Sequence, residues 1–290
     1  MNKWKKIYVY LIVIISLCFI SINIINSITY YLVLLNSDAI SMENEQIRNL
    51  DIEVNLDDIK KAANDYGINE AEFLIVLMVS NNYKIDDSCL SRLDKSSFIK
   101  KRNILINKHP KDFQVLKRFY TGILNDIEYF PVAKSTSEKR KFVSYINSWG
   151  SERTYGGKRR HEGTDIMADD NVTGIYPVVS ASCGTIINMG WLELGGYRIG
   201  ILSDNGIYYY YAHLESFEAS LKEGDTVKAG QLIGFMGNTG YSKVEGTSGK
   251  FDVHLHFGIY YSDADREISY NPYWILESQF QSNKMLYYTY

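Results

Sequence analysis

Cysteine is scarce in this chain: the 290 residues include three, Cys18, Cys89 and Cys183. Three thiols cannot build a disulfide framework, and Cys18 lies within an apolar run. At most one bridge, between Cys89 and Cys183, is possible, and two inert thiols are the simpler expectation. Cysteine content therefore does not define the compartment in which the protein works.

An excess of charge of either sign is also absent, since 31 Lys+Arg face 34 Asp+Glu and the net charge is −3. Nucleic-acid-binding proteins usually carry a basic excess, so the composition gives no support to a nucleic-acid partner. Apolar residues make up 46% and charged residues 22%, which excludes a globally disordered chain. The length allows one or two domains with a real hydrophobic core.

The segment from Ile7 to Leu35 contains no charged residue. As a helix it would be about 43 Å long, which exceeds the roughly 30 Å hydrocarbon core of a bilayer. Lysines precede this segment and acidic residues follow it, so the positive-inside rule predicts a cytoplasmic N-terminus and an extracytoplasmic remainder. A cleaved signal peptide is the main alternative, but the segment is longer than its usual apolar region and lacks a small-residue cleavage site. We therefore expect residues 1–37 to be a cytoplasmic tip and a single-pass membrane anchor.

Residues 38–133 carry helical signals and no catalytic constellation. Asn55 and Asn69 can each cap a helix, and Pro110 suits the first position of a third helix. Beside this proline, His109 is interpreted as a surface histidine at a helix start. We expect a helical extracytoplasmic region here.

The polar and basic residues 134–144 are typical of a linker. After them, short alternating apolar runs are bounded by glycine-rich turns, a pattern typical of antiparallel β structure over residues 145–275. Residues 276–290 are expected to be a C-terminal tail. The predicted fold class is therefore α+β, with a transmembrane helix, a helical region and a mainly antiparallel β domain.

Histidine is rare as well, with five in the chain, and four of them lie between positions 161 and 256. In the segment Phe251–Tyr260, strand alternation places His254 and His256 on one face and apolar residues on the other. Their backbones would be about 6.5–7 Å apart. This spacing suits one histidine on a metal ion and the other beside a metal-bound water, although such a pair alone is more often structural.

His161 and Asp165 share a face of an extended segment, with Gly163 between them making a helix less favourable. Two histidines and one carboxylate form a ligand set for zinc that leaves a fourth position open, as in catalytic sites. His213 follows a tyrosine-rich strand. Each segment alone has a simpler structural interpretation, but together they favour a catalytic metal site.

Four segments of this region occur in a recognisable order. They are HEGTD at 161–165, YAHL at 211–214, EGDTVKAGQLIGFMGNTG at 223–240 and HLHF at 254–257. In this combination the chain resembles the lysostaphin-like, or LytM-type, zinc metallopeptidases, which are endopeptidases that cut bacterial cell-wall peptides. The resemblance covers roughly residues 145–275. It implies that His161, Asp165 and His256 bind one Zn²⁺ per chain, and that His213 and His254 are the two catalytic histidines that are not ligands.

Peptide hydrolysis needs an activated water and a partner for the developing oxyanion. An imidazole beside the metal can take the proton of the water and pass it to the leaving amine. We assign His254 as the general base, because it shares a strand with His256, and His213 as the partner of the oxyanion. The two roles can also be exchanged.

Three alternatives use parts of the same pattern. Residues 223–240 also resemble the hairpin of biotinyl and lipoyl carrier domains, but the turn at 236–240 lacks the lysine that a carrier needs. A histidine phosphocarrier would explain two neighbouring histidines, but not Asp165 or the anchor. The third alternative keeps the peptidase fold in a non-catalytic protein that binds the wall or recruits partners.

The sequence therefore predicts a membrane-anchored zinc metalloendopeptidase whose C-terminal domain lies outside the cytoplasm. Its expected substrates are the cross-bridge or stem peptides of peptidoglycan, which it would hydrolyse during cell-wall remodelling. Its expected contacts are these peptides and, through the N-terminal helix, the membrane.

Overall fold

A long apolar helix, a helical region and a β-rich region follow one another along the chain. The computed structural model describes residues 3–155, 157–263 and 266–290. The α-helices are α1 (Lys3–Leu35), α2 (Glu45–Asn49), α3 (Leu56–Tyr66), α4 (Glu70–Ser80), α5 (Asp87–Ser91), α6 (Lys95–Lys108), α7 (Pro110–Asn125) and α8 (Tyr273–Gln281). The strands are β1 (Asp51–Ile52), β2 (Lys84–Ile85), β3 (Lys134–Ser135), β4 (Val143–Tyr145), β5 (Glu152–Arg153), β6 (Arg159–Arg160), β7 (Thr164–Ala168), β8 (Pro177–Val179), β9 (Gly184–Leu192), β10 (Gly196–Leu202), β11 (Ile207–Phe217), β12 (Thr226–Val227), β13 (Leu232–Met236), β14 (His254–Asp263), β15 (Arg266–Tyr270) and β16 (Tyr287–Tyr288). This order agrees with the predicted mixed α and β architecture.

Helix α1 contains the predicted membrane segment. Its residues Trp4–Leu35 are long and apolar enough to cross a bilayer, and the most apolar part is not covered by the rest of the protein. Such exposure distinguishes α1 from the buried core helix of a soluble protein. A signal sequence near an N-terminus has the same length and composition.

Local capping explains where the helices of residues 38–133 begin. The Asn55 side chain accepts a hydrogen bond from the backbone N–H of Asp57 at 2.9 Å, at the start of α3. Asn69 caps α4 in the same way, and Pro110 is the first residue of α7. These three expected helix starts are confirmed. The structure adds α2, α5 and α6, which were not predicted individually.

Helix α4 lies at the centre of the helical region, and its residues from Ala71 to Val79 are all buried. Among them is one carboxylate, Glu72. Arg102 Nε on α6 and Lys117 Nζ on α7 donate to its two oxygens at 2.6 and 2.5 Å. Burial raises the pKa of Glu72, but the hydrogen bonds and charges of these two cations outweigh it, so the pKa lies below its usual value. The ion triad therefore ties three helices together.

His109 is not the surface residue that was expected. Its side chain is buried, and Nε2 lies 2.9 Å from the backbone oxygen of Leu34 at the end of α1. The end of α1 packs on α4 and α6 and covers this position. The surface interpretation is wrong because it considered the helix start alone, without the tertiary contact.

The C-terminal region is built on one large antiparallel sheet. Its strands follow the order β12-β9-β10-β11-β14-β7-β4, while β13 pairs with β11 and β8, and β15 pairs with β14. In β14 the apolar residues Leu255, Phe257 and Ile259 are buried, as the alternation predicts. This arrangement confirms a mainly antiparallel β region and leaves the opposite face of β14 for polar side chains.

The predicted linker and tail take part in the packing. Strand β3 pairs in parallel with β16, and β4 is an edge strand of the main sheet. Helix α8 continues through the expected boundary at residue 275, and its Ser278 Oγ accepts a hydrogen bond from the backbone N–H of Leu56 at 3.0 Å. The division of the chain into domains stays a prediction, but these contacts join its last residues to the helical region.

Contacts also join the helical region directly to the β sheet. Arg48 Nε donates to the backbone oxygen of Ser269 at 3.0 Å, and the Tyr270 hydroxyl donates to that of Met42 at 3.1 Å. The rings of Phe119 and Tyr270 pack with centroids 4.1 Å apart. The three cysteines are free thiols, so none of this packing depends on a disulfide.

Candidate active site

Neighbouring strands bring the predicted site residues together. His256 on β14 pairs with Asp165 on β7 and with Ala212 on β11. His161 lies just before β7, and its backbone N–H donates to Ser151 at 2.8 Å. Because residues opposite each other in an antiparallel sheet share a face, this register places the side chains of a row on one surface.

Three donor atoms of this row converge. His161 Nε2, Asp165 Oδ1 and His256 Nδ1 are separated pairwise by 3.0 Å. They form a group able to hold a metal ion. A tetrahedral zinc ion with ligands at about 2.0–2.1 Å keeps them roughly 3.3 Å apart, so the spacing and the donor types both fit zinc.

Neighbouring groups orient two of these side chains. The backbone oxygen of Ser148 lies 3.1 Å from His161 Nδ1, so it can accept a hydrogen bond from Nδ1–H whenever Nε2 gives up its own proton to bind a metal ion. Arg153 Nη2 donates a hydrogen bond to Asp165 Oδ2 at 2.5 Å. The other carboxylate oxygen, Oδ1, is therefore the one available to bind a metal ion. Burial raises the pKa of Asp165, but hydrogen bonds from His161 and His256 outweigh it and hold the pKa far below its usual value. The carboxylate is therefore ionised, as a metal ligand must be.

His254 and His213 stand beside this group with their rings 4.7 Å apart. His254 Nδ1 lies 2.7 Å from the backbone oxygen of Asp252, and His213 Nδ1 lies 2.7 Å from that of Thr239. Since a carbonyl only accepts, each Nδ1 carries a proton and each Nε2 has a lone pair. Burial lowers the pKa of both histidines, so both are neutral at pH 7 and able to accept a proton.

His213 has a backbone conformation that is unusual for a residue with a side chain. Its φ is 62°, in the left-handed region, at a point where strand pairing shifts register. Its N–H donates to Gly195 and its oxygen accepts from Gly237, which holds this conformation. Simple alternation would point either Ala212 or His213 into the cleft, whereas the distortion allows both to line it.

These side chains line a cleft of about 340 Å³. Tyr208, Tyr210, Tyr241 and Tyr260 form much of its wall. Tyr155 stacks on Tyr241 with ring centroids 4.2 Å apart. The charged side chains in the lining besides Asp165 are Arg153, Arg159, Arg198, Glu162 and Glu267. An open groove of this kind can admit an extended peptide beside the candidate metal centre.

All five residues predicted from the sequence lie in this cleft. The sequence reasoning missed Arg153 and Arg198. Arg153 lies on the β5–β6 hairpin and contacts Asp165 from there. No pattern in the neighbouring sequence predicts this contact. Arg198 had a usable signal, because it alternates with buried Ile199 and Ile201 along β10 and so belongs to the polar face.

The fold and the motifs have counterparts among known proteins. Residues 159–270 match the model of peptidase family M23. The crystal structure of LytM from Ruminococcus gnavus is 38% identical, with a TM-score of 0.70, and the match covers 87% of this chain and 95% of that one. The chain belongs to peptidase family M23. This membership confirms the resemblance inferred from the four sequence segments.

The M23 domain is also similar to curated proteins. The L-Ala–D-Glu endopeptidase of Bacillus subtilis is 45% identical over 134 residues, which are 46% of this chain and 40% of that protein. The glycyl-glycine endopeptidase ALE-1 of Staphylococcus capitis is 32% identical over 132 residues, which are 43% of this chain and 33% of that protein. The match thus spans two fifths or less of the length of these two relatives.

Proposed function

We propose that this M23 protein is a zinc-dependent endopeptidase that hydrolyses peptide bonds of bacterial peptidoglycan. The observation that carries the proposal is the convergence of three donor atoms 3.0 Å apart with two neutral imidazoles beside them. The names of the curated relatives, an L-Ala–D-Glu endopeptidase and a glycyl-glycine endopeptidase, support hydrolysis of stem or cross-bridge peptides.

His161, Asp165 and His256 would hold the zinc ion, since their donor atoms face a common point. Bound there, zinc supplies a Lewis acid that polarises a peptide carbonyl and acidifies water. Arg153 keeps the second oxygen of Asp165 engaged, so that the carboxylate stays ionised and fixed in orientation. These are the functions that we assign to the chain's own residues at the centre.

Proton transfer is assigned to the two other histidines. His254 Nε2 lies 3.8 Å from Asp165 Oδ1 and thus faces the centre, which supports its assignment as general base. His213 would then stabilise the oxyanion by donating a hydrogen bond from Nε2, with a proton taken up from solvent because the neighbouring negative charge favours the protonated imidazole. Hydrogen bonds from each Nδ1 to a backbone carbonyl keep both rings in the required tautomer.

Helix α1 supports a location at the membrane. We propose that it anchors the protein with the N-terminus in the cytoplasm and the M23 domain outside, where peptidoglycan lies. A hydrolase tethered in this way would act on the wall close to its own membrane. This location favours a role in remodelling.

The proposed activity is tested with the full chain in detergent, loaded with zinc and incubated with purified peptidoglycan. Mass spectrometry of the released material should show fragments cut at a defined peptide bond, and their masses identify it. His256→Ala serves as the control without a complete ligand set and should release none. One zinc per chain without any cleaved peptide would contradict the proposal and favour the non-catalytic alternative.

A further inference from the structure

Arg198 is a charged residue of the cleft that the chemistry above does not use. Its side chain is partly exposed in the cleft lining, while its Nη1 atom is buried and has no hydrogen-bond partner among the described residues. A buried cationic nitrogen without a partner is unfavourable, because it has lost water and gained no acceptor. Because the side chain as a whole is partly exposed in the cleft, an anion that enters the cleft can approach the guanidinium.

The other two arginines of the cleft already have protein acceptors. Arg153 binds Asp165, and Arg159 donates to the Tyr241 hydroxyl at 3.2 Å and to the backbone oxygen of Tyr155 at 3.3 Å. Glu162 and Glu267 also line the cleft, but Glu162 adjoins His161, and Glu267 lies on β15, which β14 and β11 separate from the strand that carries Arg198. The positive charge of Arg198 is therefore available for a ligand.

The sheet register fixes how far Arg198 lies from the candidate metal centre. On β10 it lies between Tyr197, which pairs with Leu214, and Ile199, which pairs with Tyr211, so it faces the region of Ala212 on β11. Ala212 pairs in turn with His256. Two strand spacings of about 4.8 Å place the backbone of Arg198 roughly 10 Å from that of His256.

The residue between these two positions is small. Ala212 contributes one methyl group, and the space beside Gly195 is taken by the Tyr210 hydroxyl, so these small residues and the Tyr210 ring line the cleft between the guanidinium and the candidate metal ligands. Consecutive residues of a bound peptide are about 3.8 Å apart at Cα. When the scissile carbonyl lies at the metal centre, an acidic group on a residue flanking that bond therefore lies within reach of Arg198.

We propose that Arg198 binds the free carboxylate of an acidic residue next to the scissile bond, so that the enzyme selects acidic stem peptides over glycine cross-bridges. The inference rests on the proposed function and names its substrate class. Guanidinium groups pair with carboxylates through two parallel hydrogen bonds, which gives both charge and geometric selectivity. An uncharged glycine chain would leave Arg198 without an acceptor.

The test compares two synthetic stem peptides of the same sequence, one with a free glutamate carboxylate and one with that group converted to a primary amide. Binding to the zinc-loaded full chain is measured by calorimetry, and kcat and KM are measured separately. The wild-type protein should bind the free carboxylate about 10- to 100-fold more tightly than the amide. Arg198→Gln should abolish this ratio without weakening the binding of the amide peptide.

Two further variants complete the design. Arg198→Lys keeps the positive charge but lacks the planar guanidinium group that forms two parallel hydrogen bonds. This variant should give an intermediate ratio of affinities for the two peptides. Arg118→Gln removes the same charge from an exposed position on α7 and should leave the ratio unchanged. Equal affinities of the wild-type protein for both peptides, or an undiminished ratio in Arg198→Gln, would overturn the inference. A wild-type protein that shows the ratio but cleaves neither peptide would instead refute the proposed activity and leave the binding role supported.

Discussion

At the scale of single residues, Gly163 shows how one missing side chain shapes the site. A Cβ at this position would lie 2.5 Å from the backbone oxygen of Phe257 and 2.7 Å from two ring atoms of His256. The glycine between His161 and Asp165 therefore provides the space that the third proposed ligand occupies.

Gly163→Ala should consequently push the ring of His256 away and weaken zinc binding. We expect the variant to fold but to contain less than one zinc per chain after dialysis, as measured by elemental analysis. Gly67→Ala is the control: Gly67 has a φ of 68° with open space around it, so the alanine costs about 1 kcal/mol of stability without affecting zinc. Full zinc occupancy in Gly163→Ala would contradict the close packing described here.

The two kinds of histidine in the cleft should also respond differently to substitution. His254→Ala should retain zinc but lose about 10²- to 10⁴-fold in kcat, because it removes a proton-transfer group and no proposed ligand. His256→Ala should lose the zinc itself. Zinc analysis and peptide cleavage on the same preparations separate the two effects, and loss of zinc from His254→Ala would make His254 a ligand.

At the scale of elements, the helical region is held together by apolar packing and by an ion triad that joins the buried Glu72 to two partly exposed cations. Glu72 lies on α4, and its partners Arg102 and Lys117 come from α6 and α7. A buried carboxylate is stable here because two cations compensate for its lost hydration. The three helices are therefore coupled by charge as well as by packing.

Glu72→Gln should lower the free energy of unfolding by about 1–2 kcal/mol at neutral pH, because both cations lose their partner. The folded state lowers the pKa of Glu72, so its contribution is present above the unfolded pKa near 4.5 and is lost as the pH falls through the lower folded value. Thermal melts of both proteins should thus converge as the pH falls below this lowered pKa. The same substitution at Glu70, outside the triad, should change stability little, and a pH-independent difference for Glu72→Gln would contradict this account.

At the scale of the whole molecule, α1 combines two environments. Most of it is exposed and apolar, whereas Leu34 near its end is buried and its backbone oxygen contacts His109. The helix therefore continues from the proposed membrane segment into the packed helical region. This continuity would hold the helical region close to the bilayer.

We expect the full chain to float with membranes in a density gradient, because about 20 apolar residues are enough to span the hydrocarbon core. Removing residues 1–31 should release a soluble protein, since this truncation keeps Leu34 and its contacts. Intact-mass analysis of the membrane-bound protein checks the N-terminus. A soluble mature protein that begins near residue 30 would show that α1 is a cleaved signal sequence.

Much of the site follows from local patterns. The alternation of β14 predicts which residues of HLHF face the core, and the asparagine and proline signals predict three helix starts. These predictions succeed because side-chain direction in a strand and capping at a helix end depend on neighbours in the sequence. The four segments were also enough to identify the family.

Long-range contacts were not accessible in this way. The burial of His109 under α1, the hydrogen bond from Arg153 to Asp165 and the left-handed backbone of His213 arise between segments far apart in the chain. The sequence by itself determined which residue types could bind a metal and transfer a proton. Only the tertiary structure decided that they meet, and that Arg198 faces the same cleft, because strand register and the packing of separate elements set the distances between them.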